Sequence, residues 1–391
     1  EKETMTDKID KIVTNRILAP FVFIIIMYAM FQLTFTIGAP FQDLIENGFN
    51  LLAKMVGSYL GEGLLSSLIC KGIIGGVGGV LTFLPIIILM FLFLSILEDS
   101  GYLARAAFTL DIVMHKIVGL HGKAFIPMIL GFGCGVPAIM ATRTMENEGD
   151  RMLAMMLVPF MSCTARLPIY GVFIAAFFAE NKGLMLLLIY VLGIVVALIV
   201  AAILKRTMFK GLSTPFVMEL PNYRMPGAKN VAHLLWDKAK DFLQRAFTVI
   251  FVASIVVWFL QTFDFGLNVV EDSQTSMLAV VAGIMAPIFA PLGFGDWRIV
   301  TALIAGFMAK ESVVSTLTVL TAGNVLALIT PLGALALLVF CLLYTPCVAA
   351  VAAIKRELGG GWAVGIVIGQ CIVAWICALV VRLIGLTIGI I

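Results

Sequence analysis

Apolar runs about as long as a bilayer is thick alternate along this chain with polar connections. They stand near 17–37, 73–97, 124–142, 152–178, 183–204, 242–262, 276–292, 298–320, 326–354 and 361–390, and a membrane helix needs about 20 mostly apolar residues. The pattern predicts an all-α fold, a polytopic transmembrane helical bundle. An outer-membrane barrel is excluded, because its strands alternate apolar and polar over only about 10 residues, whereas 83–97 and 184–204 are unbroken. Two stretches are too polar to span. Phe41 to Lys71 carries Asp43, Glu46, Lys54 and Glu62, and Glu98 to Lys123 carries Asp99, Arg105, Asp111, His115, Lys116 and His121. Both read as interfacial helices or loops.

Two of the apolar runs are interrupted from within. Residues 124–142, AFIPMILGFGCGVPAIMAT, contain Pro127, Gly131, Gly133, Gly135 and Pro137, and residues 152–178 contain Pro159, Ser162, Thr164, Arg166 and Pro168. Non-helical backbone at membrane depth is tolerated where it faces protein or water, so these are expected to be broken or re-entrant helices. Charge agrees. The connection 205–245 carries eight Lys/Arg against three acids, and the first sixteen residues carry Lys2, Lys8, Lys11 and Arg16. The positive-inside rule puts both on the cytoplasmic side, so an even number of crossings must separate them. Five runs intervene, so one of them must fail to cross. The expected organisation is a cytoplasmic lead-in at 1–16, a first membrane half at 17–204, the basic connection at 205–245 and a second membrane half at 246–391.

A weak internal duplication is also visible. Residues 121–138 align with 296–313, with Lys123 facing Arg298; a competing register pairs Cys134 with Cys347, each nine residues before an arginine, Arg143 or Arg356.

Composition narrows the function. Hydrophobic residues make up 61% and charged ones 13% of 391 residues, against roughly 45–50% and 25% in a soluble domain, and the mean hydropathy is +1.09. A formal net charge of +3 gives no argument for a nucleic-acid partner; the lipid bilayer is the partner the composition requires. Ile17 to Ile37 is too long for a secretory signal and lacks a small-residue cleavage site. There is no HExxH, GxSxG, dinucleotide fingerprint or GxxxxGK[ST] phosphate loop, so no catalytic residues are expected.

The chemistry left to place is sulfur and buried charge. Broken helices in transporters bind ions, because unwound backbone exposes carbonyls and helix ends. Cys134 (GFGCGVP), Cys163 (PFMSCTARLP) and Cys347 (YTPC) each stand beside a helix breaker. Sulfur suits Fe(II), Zn(II) or Cu(I) and suits Mg or Ca poorly; the alternative is that each is a small buried hydrophobe. Cys70, Cys341, Cys371 and Cys377 lack that setting and read as packing residues. Arg166, Lys310, Glu311 and Arg382 are charges within apolar runs, which usually face a cavity or a partner. Glu311 is a candidate cation ligand, with an interhelical ion pair as the alternative, and Arg382, near the end of its run, reads as a snorkelling side chain.

Several segments together resemble one family. GFGCGVPAIMATRTMEN (131–147), PFMSCTARLPIYGVF (159–173), MELPNYRMP (218–226), APLGFGDWR (290–298), GFMAKESVVSTL (306–317) and LLYTPCVAAVAAIKRE (342–357) are similar to the membrane domain of the bacterial ferrous iron transport protein B family, FeoB. The resemblance implies Fe(II) uptake as a multi-pass protein of the bacterial cytoplasmic membrane, with two Gate-type internal repeats. It implies that the cysteines of the GFGC, MSC and TPC motifs, Cys134, Cys163 and Cys347, line the iron path; Glu311, in the AKE motif, is added on its charge alone. The family also implies a GTPase domain using GTP and Mg, which is expected outside these residues and joined through TDKIDKIV (6–13), and a small soluble partner of the FeoA type. A homo-oligomer is compatible with the sequence. Two other expectations are a metal- or redox-sensing membrane module and a Gate-type carrier of an organic solute such as a nucleoside.

Overall fold

The structure is a computed structural model that describes residues 9–11, 13–15, 18–61, 63–117, 122–145, 147–209, 223, 227–270, 273–321 and 328–388. Lys2, Lys8, Arg16, His121, Lys210, Glu219 and Arg224, together with most of the MELPNYRMP motif, lie outside these residues. Among the described residues the secondary structure is helical apart from one isolated bridge between Phe263 and Val269. Six helical stretches among the described residues are long and apolar enough to cross a membrane, or seven when a pair bent by 104° at 277–292 and 297–308 is one span. Four of the six precede the basic connection.

The chain divides into two compact units, Glu1–Ile129 with Ala141–Ala154 and Ala201–Phe251, and Leu130–Met140 with Met155–Val200 and Val252–Ile391. The first unit is built on α1 (Leu18–Leu60), α2 (Gly75–Asp99) and α3 (Tyr102–Ile117). Residues 41–60, expected as an interfacial helix or loop, are helical and continue α1, which runs unbroken for 43 residues through Pro40. Asp43, Glu46 and Lys54 make the stretch too polar for a lipid core but do nothing to stop a helix. A hydropathy pattern reports where lipid ends, not where the helix does. The helix α1 packs along α2 at small residues: a Cβ on Gly38 would stand 2.9 Å from Ile86, and one on Gly78 would stand 3.0 Å from Phe49.

In the same unit Arg105, on α3 and 1% exposed, holds the lead-in. Its Nε and Nη2 donate to the Asp10 carboxylate, its Nη1 donates to the Gly101 carbonyl at 3.0 Å, and its guanidinium lies 3.9 Å from the centre of the Tyr223 ring. Lys205 donates to Asp150 at 2.7 Å. Asp10, within the expected join at 6–13, is thus tied to α3.

The second unit surrounds α13 (Pro331–Leu343), which is buried from Leu332 to Ala334 and from Ala336 to Leu343. A helix apolar on all sides is enclosed by a protein core or by lipid, and α13 is enclosed by protein. It is covered by α7 (Leu167–Phe177), by α15 (Gly360–Ile388), and by the 3-10 turn Ala290–Leu292 that follows α10 (Met277–Phe289). Helix starts follow side-chain capping: Ser276, Asp296 and Thr330 accept from the backbone N–H groups of Ala279, Arg298 and Gly333. Arg382 does not snorkel. Its Nη1 donates to the Ala290 carbonyl at 3.0 Å, which also accepts from the Gly293 N–H at 3.1 Å.

Candidate functional site

Four helices in the second unit are interrupted, and each interruption falls on a residue singled out by the sequence. Cys134 stands alone between α4 (Phe125–Gly133) and α5 (Gly135–Ala141). The cause is local. Pro137 has no N–H to give the Gly133 carbonyl four residues before it, and that carbonyl accepts instead from Thr164 Oγ1 at 3.0 Å.

Thr164 belongs to the second interruption. After α6 (Glu148–Leu157) and the turn Val158–Phe160, Met161 and Cys163 are extended, with ψ of 135° and 159°, and α7 begins with Pro168 in its first turn. The freed carbonyls are collected by the buried Arg166, whose Nη1 and Nη2 donate to Met161 and Pro159 at 3.0 and 3.2 Å. Ser162 Oγ and Tyr170 Oη share a hydrogen bond of 2.9 Å. Gly131 lets the two interruptions approach, since a Cβ there would stand 3.0 Å from Met161.

The third lies between α11 (Trp297–Met308) and α12 (Ser312–Leu320), with Ala309 extended at φ −144° and ψ 128° and Glu311 opening α12. The fourth separates α13 from α14 (Val348–Leu358), with Tyr344 and Cys347 extended at ψ of 168° and 157°. Pro346 deprives the Leu342 carbonyl of its helical donor, as Pro137 does for Gly133. These two interruptions are also joined: Lys310 Nζ donates to the Thr345 carbonyl at 2.6 Å and lies 3.2 Å from the centre of the Tyr344 ring.

Cys134 lies within electrostatic reach of Cys347, Cys163 and Glu311, and Cys347 within reach of Cys163, Lys310 and Glu311. The four nominated residues are therefore gathered in one unit. They do not form a cage: among the described residues no three His, Cys, Asp or Glu side chains are grouped closely enough to hold one metal ion. Cys341 is fully buried in α13, and Cys70 donates from Sγ to the Ala53 carbonyl at 3.4 Å in the other unit. Sequence reasoning named Thr164 only as a polar residue within the interrupted run, and gave no role to Tyr344 and Thr345. The available signal was Pro137, whose position marks the carbonyl that Thr164 serves.

Helix order also decides between the two registers of duplication. A helix, a break and a helix occur twice in each half, at 125–141 and 148–177, then at 297–320 and 331–358. This order pairs the Cys134 break with Ala309–Glu311 and the Cys163 break with Tyr344–Cys347.

Family models match along the same lines. The model described as Gate, nucleoside recognition, covers residues 80–177 and 243–361, more than half of the chain, and the model of the ferrous iron transport protein B C terminus covers 186–238. The chain belongs to the FeoB family. Among FeoB relatives, the Fe(2+) transporter FeoB of Staphylococcus aureus (strain COL) is 43% identical over 371 residues, covering 91% of this chain and 55% of the relative. That of Methanocaldococcus jannaschii is 40% identical over 398 residues, covering 98% and 59%. A Porphyromonas gingivalis protein named as an Fe(2+) transport protein A and FeoB fusion is 40% identical over 440 residues, covering 98% and 52%. The chain thus spans little more than half the length of these FeoB relatives. No solved structure gives a significant match.

Proposed function

We propose that this chain forms the membrane pathway of a ferrous iron transporter in the bacterial cytoplasmic membrane, with Cys134, Cys163, Cys347 and Glu311 as successive ligands for Fe(II). The observation that carries the reading is the coincidence of four helix interruptions with these four residues in a single compact unit. Each interruption offers backbone oxygen beside sulfur or carboxylate, a mixed donor set suited to a borderline divalent ion. Fe(II) must shed water to pass and must also leave. Donors spread along a path rather than closed into a cage suit that requirement, since conduction needs binding that is favourable yet weak and multi-site.

The names of the relatives favour Fe(II) as the substrate. In this reading the protein is a transporter and no residue here is catalytic. GTP and Mg belong to a GTPase domain outside these residues, and the clasp of Asp10 on Arg105 is where its movement would reach the membrane helices. The fusion relative favours a partner of the FeoA type. The basic connection at 205–245 faces the cytoplasm, and the two Gate segments form the two membrane halves.

The test is Fe(II) uptake into liposomes containing this chain under reducing, anaerobic conditions, beside a variant with Cys134, Cys163 and Cys347 all changed to serine. Uptake by the parent that the variant loses, while retaining its helical content, is the expected result. Equal uptake by both would remove the sulfurs from the path. Uptake of a nucleoside with none of Fe(II) would replace the reading with an organic-solute carrier.

A further inference from the structure

The two Gate segments solve one structural problem with different chemistry. In each, a side chain from one interruption donates to a carbonyl at the other: Thr164 to Gly133 in the first, Lys310 to Thr345 in the second. The hydroxyl does this without charge, so bridging the breaks does not itself require an ammonium group. Yet Lys310 is 2% exposed and among the described residues forms no ion pair. Its company is a carbonyl and an aromatic face, with a second buried cation, Arg166, the thiols of Cys341, Cys163 and Cys347 and the carboxyl of the adjacent Glu311 within electrostatic reach.

A buried charge at membrane depth is costly and usually marks an ion pathway. A carbonyl oxygen and a ring face are also neutral groups that attract cations. The Lys310 ammonium occupies both. Cys347 follows Thr345 by two residues on the same extended segment and is within electrostatic reach of Lys310.

We propose that Lys310 is a tethered cation that fills the oxygen side of the TPC break and must be displaced by an arriving divalent metal ion, so that it sets which ions the break accepts. The proposal rests on the transport reading above. While the ammonium stays, an incoming ion meets a like charge beside Cys347. An ion that gains a sulfur bond can offset that repulsion; a hard, tightly hydrated ion such as Mg(II) gains little from sulfur and cannot. Lys310 is thus a positioning and selectivity residue and not itself a metal ligand.

The test is titration of the purified chain in detergent with Co(II), read by the sulfur-to-cobalt charge-transfer absorption, for the parent, Lys310→Gln, Lys310→Arg and Tyr344→Leu. Removing the charge, or the ring that holds it, should tighten Co(II) binding by roughly tenfold, the scale on which a neighbouring like charge acts. Lys310→Arg, which keeps the charge, should stay near the parent. Adding Cys347→Ser should erase the gain. Parent-like affinity in folded Lys310→Gln overturns the proposal, as does a gain that survives Cys347→Ser. Should Lys310→Gln fail to fold, Tyr344→Leu decides in the same sense. Fe(II) uptake by the parent is scored separately. Tighter Co(II) binding in the variants with no Fe(II) uptake by the parent sinks the transport reading alone, and uptake with unchanged binding sinks the role of Lys310 alone.

Discussion

Thr164 Oγ1 donates to the Gly133 carbonyl across thirty-one residues of sequence, at 3.0 Å, and so ties the break at Cys163 to the break at Cys134. The carbonyl it satisfies is the one that Pro137 leaves without a helical donor. Thr164→Val keeps the shape and removes the donor. It should lower stability by roughly 0.5–2 kcal/mol, the range for hydrogen bonds between helices in membranes, and Thr164→Ser should recover most of the loss. Thermal unfolding in detergent, followed by helical content, checks both.

Gly306 allows α11 and α12 to fold back on each other. A Cβ there would stand 2.2 Å from Val313 Cγ2 and 2.6 Å from Tyr344 Oη. Gly306→Ala should therefore cost about 1–3 kcal/mol, as overpacking a filled core does. Gly283→Ala on α10, with nothing within 4 Å of the new methyl, should leave the unfolding midpoint unchanged or slightly raised. Equal midpoints for the two variants would show that the fit at Gly306 is loose enough to take a methyl.

Asp10 faces a guanidinium whose side chain is 1% exposed, while its own is 24% exposed. Removing one member of a buried pair costs about 3–5 kcal/mol, and the solvent reaching Asp10 puts Asp10→Ala at or below the lower end. The lead-in should also be released. Limited proteolysis is expected to cut ahead of α1 faster in Asp10→Ala than in the parent, and an unchanged rate would mean that other contacts hold the segment.

Asp264, in the exposed loop after α9 (Ala228–Thr262), accepts at Oδ1 from the backbone N–H groups of Asn268 and Gly266 at 2.9 and 2.8 Å. The bond from Asn268, then that from Gly266, holds its carboxyl below the ordinary aspartate value. A depressed folded value means that the loop's support is complete above an unfolded value of about 4. It is lost as pH falls through the folded value. Amide exchange at Gly266 and Asn268, compared at equal intrinsic rates, should accelerate only below that window, and Asp264→Asn should flatten the profile.

The sequence was most legible where proline and glycine break helices. Pro137, Pro159, Pro168 and Pro346 marked three of the four interruptions. The fourth contains Ala309, Lys310 and Glu311, none of them a breaker, and only the charge in an apolar run drew attention to it. What stayed hidden was who serves the freed carbonyls. Thr164 and Lys310 lie thirty-one and thirty-five residues from their acceptors, and no local pattern encodes such a distance. The continuation of α1 past Pro40 was hidden for the opposite reason: helical backbone persists where the hydropathy signal stops.

That continuation can also serve as a ruler. At about 1.5 Å per residue, the 43 residues of α1 measure about 64 Å, roughly twice the 30 Å of a bilayer's hydrocarbon core. Spin labels placed singly along 20–58 should therefore pass from oxygen-accessible, lipid-bathed positions to water-accessible ones within a single rigid element. The crossover residue would mark the height of the membrane surface on the protein.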